Sequence, residues 1–215
     1  MASYFFETIT PTQAMGFDGR NDHLIFSNPT STAASIRVTF NPATASAPAS
    51  LTMLDVADGH IVVFGTGLAG LLFPVLPNGS ALGVSGLTGG QIFASSLGDG
   101  LFGLAGPDTL HGLGGDDVLQ GGPGADVLDG GDGSDLFVIS PGDSPAAVGQ
   151  MDTVIDWSST DHLGFAFKNG QVSTPAGSAL SYVETTAGNF SEALAAANAQ
   201  IAGGVVEYVA VQVGG

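Results

Sequence analysis

The sequence predicts an all-β protein organised around a parallel coil of short strands, flanked by antiparallel β-rich segments and ending with one C-terminal helix. Three observations carry that expectation. Glycine and aspartate recur with a period of nine from Gly103 to Val138. Outside that region, apolar residues alternate in short runs bounded by turn dipeptides. Only Asn189 to Gly203 combines helical periodicity with capping signals.

Residues 1–82 form the first segment, read as short strands separated by turns. Ser35-Ile36-Arg37-Val38-Thr39-Phe40 alternates, and so does Leu51-Thr52-Met53-Leu54-Asp55-Val56. The second run leads through Asp58-Gly59 into Ile61-Val62-Val63-Phe64, a strand–turn–strand signal with a favoured hairpin dipeptide. Asn78-Gly79 marks another turn, and the Ala-, Pro- and Ser-rich stretch from Asn41 to Ser50 reads as a surface loop. The pattern leaves open whether these strands continue the coil or form a separate sandwich.

Residues 83–145 form the second segment. Four nonapeptides start at Gly103, Gly112, Gly121 and Gly130. Each has Gly at positions 1 and 4, Asp at position 6 (Asp108, Asp117, Asp126, Asp135) and a large apolar residue at position 8 (Leu110, Leu119, Leu128, Phe137). Degenerate units precede them, with Asp99, Leu101 and Ile92 in phase. Six residues form a turn in which glycines permit φ > 0 and bring backbone carbonyls together, as at Gly106, Gly115, Gly122, Gly124, Gly131 and Gly133. The other three form a strand whose middle side chain points inward. Two nonapeptides complete a coil, so Asp99 stacks on Asp117 and Asp135, and Asp108 on Asp126. Stacked carboxylates repel unless a cation lies between them. An oxygen-only ligand set of this density suits Ca²⁺ better than Mg²⁺ or a transition metal. A flexible glycine-rich linker would not hold four positions in strict phase.

Residues 146–215 form the third segment. Asn189-Phe190-Ser191-Glu192 opens the helix with a capping box, and Phe190, Leu194, Ala197 and Ile201 share one face that packs on a β-rich body. Val205 to Val213 follows as an alternating strand.

The net charge of -17 rests on 20 acids and only 3 basic residues, with 34 Gly and no Cys. So acidic a chain repels nucleic acid and anionic membranes, and attracts cations. The absence of Cys excludes a disulfide framework and thiolate metal sites. The N-terminus Met1-Ala-Ser-Tyr-Phe-Phe-Glu7 lacks the pattern of a Sec-type signal. The apolar window from Ile61 to Leu76 is broken by Gly65, Gly67, Gly70 and Pro74, which argues against membrane insertion.

Over residues 94–138 the sequence resembles the RTX family, whose haemolysin-type nonapeptides bind calcium in a parallel β-roll. Asp152-Thr153-Val154-Ile155-Asp156-Trp157 and Asp161-His162-Leu163 resemble the strand that closes such rolls, which implies Asp152 as a ligand of the last calcium. Phe17-Asp18-Gly19-Arg20-Asn21-Asp22-His23-Leu24-Ile25-Phe26 is similar, less specifically, to β-rich segments preceding rolls in bacterial surface proteins. The resemblance implies export by type I machinery through an uncleaved C-terminal signal. Low cytosolic calcium would keep the chain unfolded for export, and external calcium would fold it at the cell surface or beyond. Members of the family continue beyond a segment like Tyr208 to Gly215, so this end is expected to be shortened or its signal atypical.

Other residues carry less. Asp143 belongs either to a final half-coil or to the turn Pro141-Gly142-Asp143-Ser144. Asp116, Asp129 and Asp132 fall off the ligand phase and read as solvated charges. His23, His60, His111 and His162 share no zinc spacing, and His111, at the variable ninth position, is expected to be exposed. Trp157 is expected to plug the core. Ser80 and Ser85 lack the G-x-S-x-G setting of a nucleophile elbow, so no catalytic residue is assigned. The expectation is a secreted, non-enzymatic calcium-binding protein that self-associates through sheet edges or roll ends as a surface-layer, matrix or filament component. The alternative is the calcium-binding and export module of a secreted hydrolase or adhesin.

Overall fold

A strand of three residues flanked by glycine turns buries its one inward side chain only against a neighbouring coil. That constraint governs most of the fold. The computed structural model describes residues 1–140, 142–144, 151–166, 172–173, 182–187, 195 and 208–213. Two units are distinguished, residues 1–145 with 149–173, and residues 146–148 with 174–215.

The N-terminal part opens with β1 (Ser3–Phe5), a short helix α1 (Pro11–Met15) and β2 (His23–Ile25), with β1 and β2 paired in parallel. Next come β3 (Ile36–Asn41), β4 (Ser50–Asp55) and β5 (His60–Gly65), a three-stranded antiparallel sheet in the order β3-β4-β5. The alternation in the sequence sets its faces. Ile36, Val38, Leu51, Met53, Val62 and Phe64 point inward, while Ile61 and Val63 point out. The loop from 42 to 49 and the turn at Asp58-Gly59 fall where the sequence places them, with Gly59 at φ 77.

Helix α1 was not anticipated, although its signals are present. Thr10 caps it, Gln13 returns the capping box and Pro11 stands in the first turn. With five residues it shows no apolar period, so pattern reading passes over it. It packs on β5 at a close approach: a Cβ on Gly65 would lie 2.5 Å from the Met15 carbonyl oxygen.

The coil follows. One sheet contains β6 (Leu82–Val84), β8 (Gly100–Phe102), β10 (Val118–Gln120), β12 (Leu136–Ile139) and β14 (His162–Ala166), and the other contains β7 (Gln91–Phe93), β9 (Thr109–His111), β11 (Val127–Asp129) and β13 (Thr153–Val154). All these pairings are parallel. In register, Leu101 faces Leu119 and Leu119 faces Phe137 in one sheet, while Ile92, Leu110 and Leu128 align in the other. These six side chains form one buried ladder. An antiparallel strand, β15 (Val172–Ser173), adds to β14. The strands of the coil thus run from Leu82 to Ala166, past the span of 83–145 read from glycine phase.

The N-terminal strands do not extend this stack. They form their own sheets, and their core joins the first coil, with Phe6, Phe17, Phe26 and Phe64 clustered together with Leu82, Val84, Phe102 and Leu104. In the second unit, β16 (Tyr182–Ala187) pairs in parallel with β17 (Tyr208–Val213). Parallel neighbours require a crossover connection. The helix expected at 189–203 falls in that connection and lies outside the described residues, apart from Ala195, which is helical. Among the described residues no helix is long and apolar enough to cross a membrane.

Candidate metal centre

Each repeat aspartate is placed by the turn it ends and by the coil stacked on it. The Asp99 amide donates to Asp117 Oδ1 at 2.7 Å, and the Asp117 amide to Asp135 Oδ1 at 2.9 Å. On the other edge, the Asp108 amide donates to Asp126 Oδ1 at 2.8 Å. The columns continue beyond the repeats. The Asp126 amide donates to Asp152 Oδ1 at 3.2 Å, and the Asp135 amide to Asp161 Oδ1 at 3.1 Å. The columns therefore read 99-117-135-161 and 108-126-152.

One oxygen of each carboxylate is thus engaged by backbone. The second oxygen is not equivalent along the columns. Oδ2 of Asp108, Asp117, Asp126 and Asp135 is buried without any hydrogen-bond partner. A buried, unpaired carboxylate oxygen costs several kcal/mol, roughly, unless a cation or proton compensates it. These oxygens point at the first glycine of their own repeats. A Cβ there would lie 2.1 Å from Asp117 Oδ2 at Gly112, 2.2 Å from Asp126 Oδ2 at Gly121 and 2.3 Å from Asp135 Oδ2 at Gly130. The cradle therefore exists only because those residues have no side chain. Among the described residues no three acidic or imidazole side chains converge on one point. A cation held here would take the rest of its oxygens from backbone carbonyls of the turns. That donor set, hard and all oxygen, fits calcium.

Burial sets the protonation behaviour of these carboxylates when no metal is bound. Desolvation, the largest cause, raises Asp117 to about 8, Asp152 to about 8, Asp108 to about 7 and Asp135 to about 6. Neighbouring carboxylates push in the same direction for all four; backbone hydrogen bonds oppose, whereas the side-chain bond between Asp152 and Asp126 raises Asp152 further. A raised value in the fold means that the folded chain holds these protons more tightly than the unfolded one. The resulting stabilisation is complete below the ordinary aspartate value of about 4 and is lost as pH climbs through 6 to 8. Metal-stripped protein is therefore expected to gain β-structure between pH 8 and pH 5, read by far-ultraviolet circular dichroism. A metal-free spectrum that loses order over that interval would refute the assignment of these carboxylates as buried and unpaired.

Several side chains depart from the sequence reading. His111 is half-buried: Nδ1 lies 2.9 Å from Asp129 Oδ2, and its ring stacks on Phe93 at 4.5 Å. Asp129 is thus a partner rather than a solvated charge, because the ninth positions of stacked units meet on the outer face. Asp116 accepts from the Ser134 amide. Trp157 is 42% exposed, with its ring 5.9 Å from that of Phe137; the ladder is already filled, so the indole lies over its end instead of plugging it. Asp143 joins both settings, since Oδ2 accepts from the Ser140 amide in its own turn and its carbonyl accepts from the Gly124 amide. Ser85 donates to Asp108 Oδ1 at 2.6 Å, and Ser80 accepts from the Ala33 amide at 2.8 Å. Asp161 was noted only as part of a closing strand, and its place in the first column was missed. Asp156, also unassigned, accepts from the Gly130 and Gly131 amides.

Residues 102–137 match the family model of the RTX calcium-binding nonapeptide repeat, in 4 copies. No curated protein matches the chain. The matched repeats are a calcium-binding structural motif, and they supply no catalytic group.

Proposed function

We propose that this RTX-type repeat protein folds on calcium outside the cell and serves there as a non-enzymatic, self-associating component of a surface or matrix. In this reading Asp108, Asp117, Asp126, Asp135 and Asp152 supply carboxylates. The turns at Gly106, Gly115, Gly122, Gly124, Gly131 and Gly133 bring carbonyls. Residues 83–145 then carry most of the metal, residues 1–82 give a β-rich flank, and residues 146–215 form a closing and export-type region. The observation that carries the calcium part is the set of four buried, unpartnered oxygens on stacked aspartates.

Release by type I export is supported by chemistry: in a chain with a net charge of -17 and no Cys, the acidic repeats stay expanded in low calcium and folding needs no oxidising compartment. Self-association is supported by the edges. Strand β5 is the last of its sheet, with Ile61 58% and Val63 46% exposed on it, and β7 ends one sheet of the coil. Such edges pair with other chains once the acidic roll is neutralised. Light scattering of the purified chain should show particle mass rising with protein concentration in millimolar calcium, and a smaller, concentration-independent species in chelator. A monomer at every concentration in calcium would remove the assembly role and leave calcium folding standing.

A further inference from the structure

We infer that the calcium ladder is closed at both ends of one column by serine, so that Asp99 and Asp161 carry protein donors in place of metal and Ser95 and Ser158 fix where metal binding stops. This rests on the calcium reading of Asp108, Asp117, Asp126 and Asp135.

The difference lies in the second carboxylate oxygen. Asp99 keeps the phase of the repeat and is fully buried, yet both its oxygens are taken. Oδ1 accepts from the Ala81 amide at 2.6 Å, and Oδ2 accepts from the Ser95 amide at 2.6 Å and from Ser95 Oγ at 2.8 Å. At the far end, Asp161 Oδ1 accepts from the Asp135 amide and Oδ2 from the Ser158 amide at 2.6 Å. Hydrogen bonds to an ionised acceptor are among the stronger ones, and they satisfy the charge that a cation would otherwise balance.

Backbone conformation explains why the intermediate aspartates lack such donors. The residue four positions before each of them lies in the left-handed region: Leu104 at φ 73, Leu113 at φ 76, Gly122 at φ 88 and Gly131 at φ 90. Ser95 occupies the same place before Asp99 and is not left-handed, so its amide and hydroxyl both reach the carboxylate. A left-handed residue at that place leaves the oxygen open and Ser95 closes it; at Asp161 the closing donor, Ser158, stands three positions before.

The first coil is thereby tied to the N-terminal core without metal. Leu82, Val84 and Phe102 belong to that core, and the Gly100 amide donates to the Ala81 carbonyl. It offers a ready edge on which the calcium-dependent coils stack. Ser95 and Ser158 act as positioning residues for two carboxylates that do not bind.

Native mass spectrometry of the full chain in calcium tests this by counting ions. Asp99→Asn and Asp161→Asn are expected to retain the wild-type number, whereas Asp117→Asn loses at least one. Loss of an ion in Asp99→Asn or Asp161→Asn overturns the inference, while a wild type that binds none defeats the calcium reading itself. Should either variant fail to fold, amide hydrogen exchange of the calcium-loaded wild type decides. Slow exchange at Ser95 and Ser158 is expected, and exchange at the free-peptide rate would mean that calcium has displaced them.

Discussion

Replacing Asp117 by asparagine is expected to move the calcium midpoint for folding upward by about tenfold or more, equivalent to about 1.4 kcal/mol or more. Asparagine keeps an oxygen for the Asp99 amide, so the local hydrogen bond survives. What is lost is the charge on Oδ2, an atom that is buried and has no partner. The same change should act in the opposite direction on the metal-free chain. Burial together with Asp99 and Asp135 raises the Asp117 value when no metal is bound, and a neutral amide removes that burden. Asp117→Asn should therefore be more ordered than wild type in chelator and less stable in calcium. Both arms are read from circular dichroism across a calcium titration. An unchanged midpoint would mean that Asp117 holds no metal, whatever its place in the column.

The repeat core was legible because position, and not only composition, recurs. Glycine at two positions, aspartate at one and Leu or Phe at another fix the turn, the carboxylate column and the ladder together. The three strands of the N-terminal sheet were legible for the usual reason, that one face is buried and a period of two records it. Phase counting failed where the coil lengthens. Asp126 meets Asp152, and Asp135 meets Asp161, across 26 residues, whereas the repeats space their contacts by 18. The resemblance to roll-closing strands supplied Asp152, but Asp161 needed the structure.

The closure at Asp99 was hidden for a different reason. Asp99, Asp117 and Asp135 look alike in sequence phase, and what separates them is the backbone angle four residues earlier. Glycine would have announced a left-handed turn at that place, but Leu104 and Leu113 adopt one too, against their ordinary preference. Ser95 in that position was the one available signal, and its meaning depends on a φ that side-chain type alone does not fix.

Withdrawal of calcium is expected to have the largest effect of all. Each nonapeptide buries only one or two apolar side chains: Leu104 and Leu110, Val118 and Leu119, Leu128, and Phe137 and Val138. Ordering the nine residues of each unit costs backbone entropy that so little apolar burial does not offset. The strand hydrogen bonds narrow that gap, and the stacked carboxylates widen it again through desolvation and mutual repulsion. On the proposed reading metal binding supplies the difference, so the coil and its ions form together. The N-terminal part, with its cluster of four buried phenylalanines, is expected to carry no such requirement.

Far-ultraviolet circular dichroism of the full chain at pH 7.5, first in chelator and then through a calcium titration with magnesium as control, puts this to the most direct test. The account predicts a largely disordered coil superposed on residual N-terminal β-structure in chelator, and a cooperative gain of β-signal with calcium that magnesium does not reproduce. A spectrum already fully β in chelator and unmoved by calcium would contradict it.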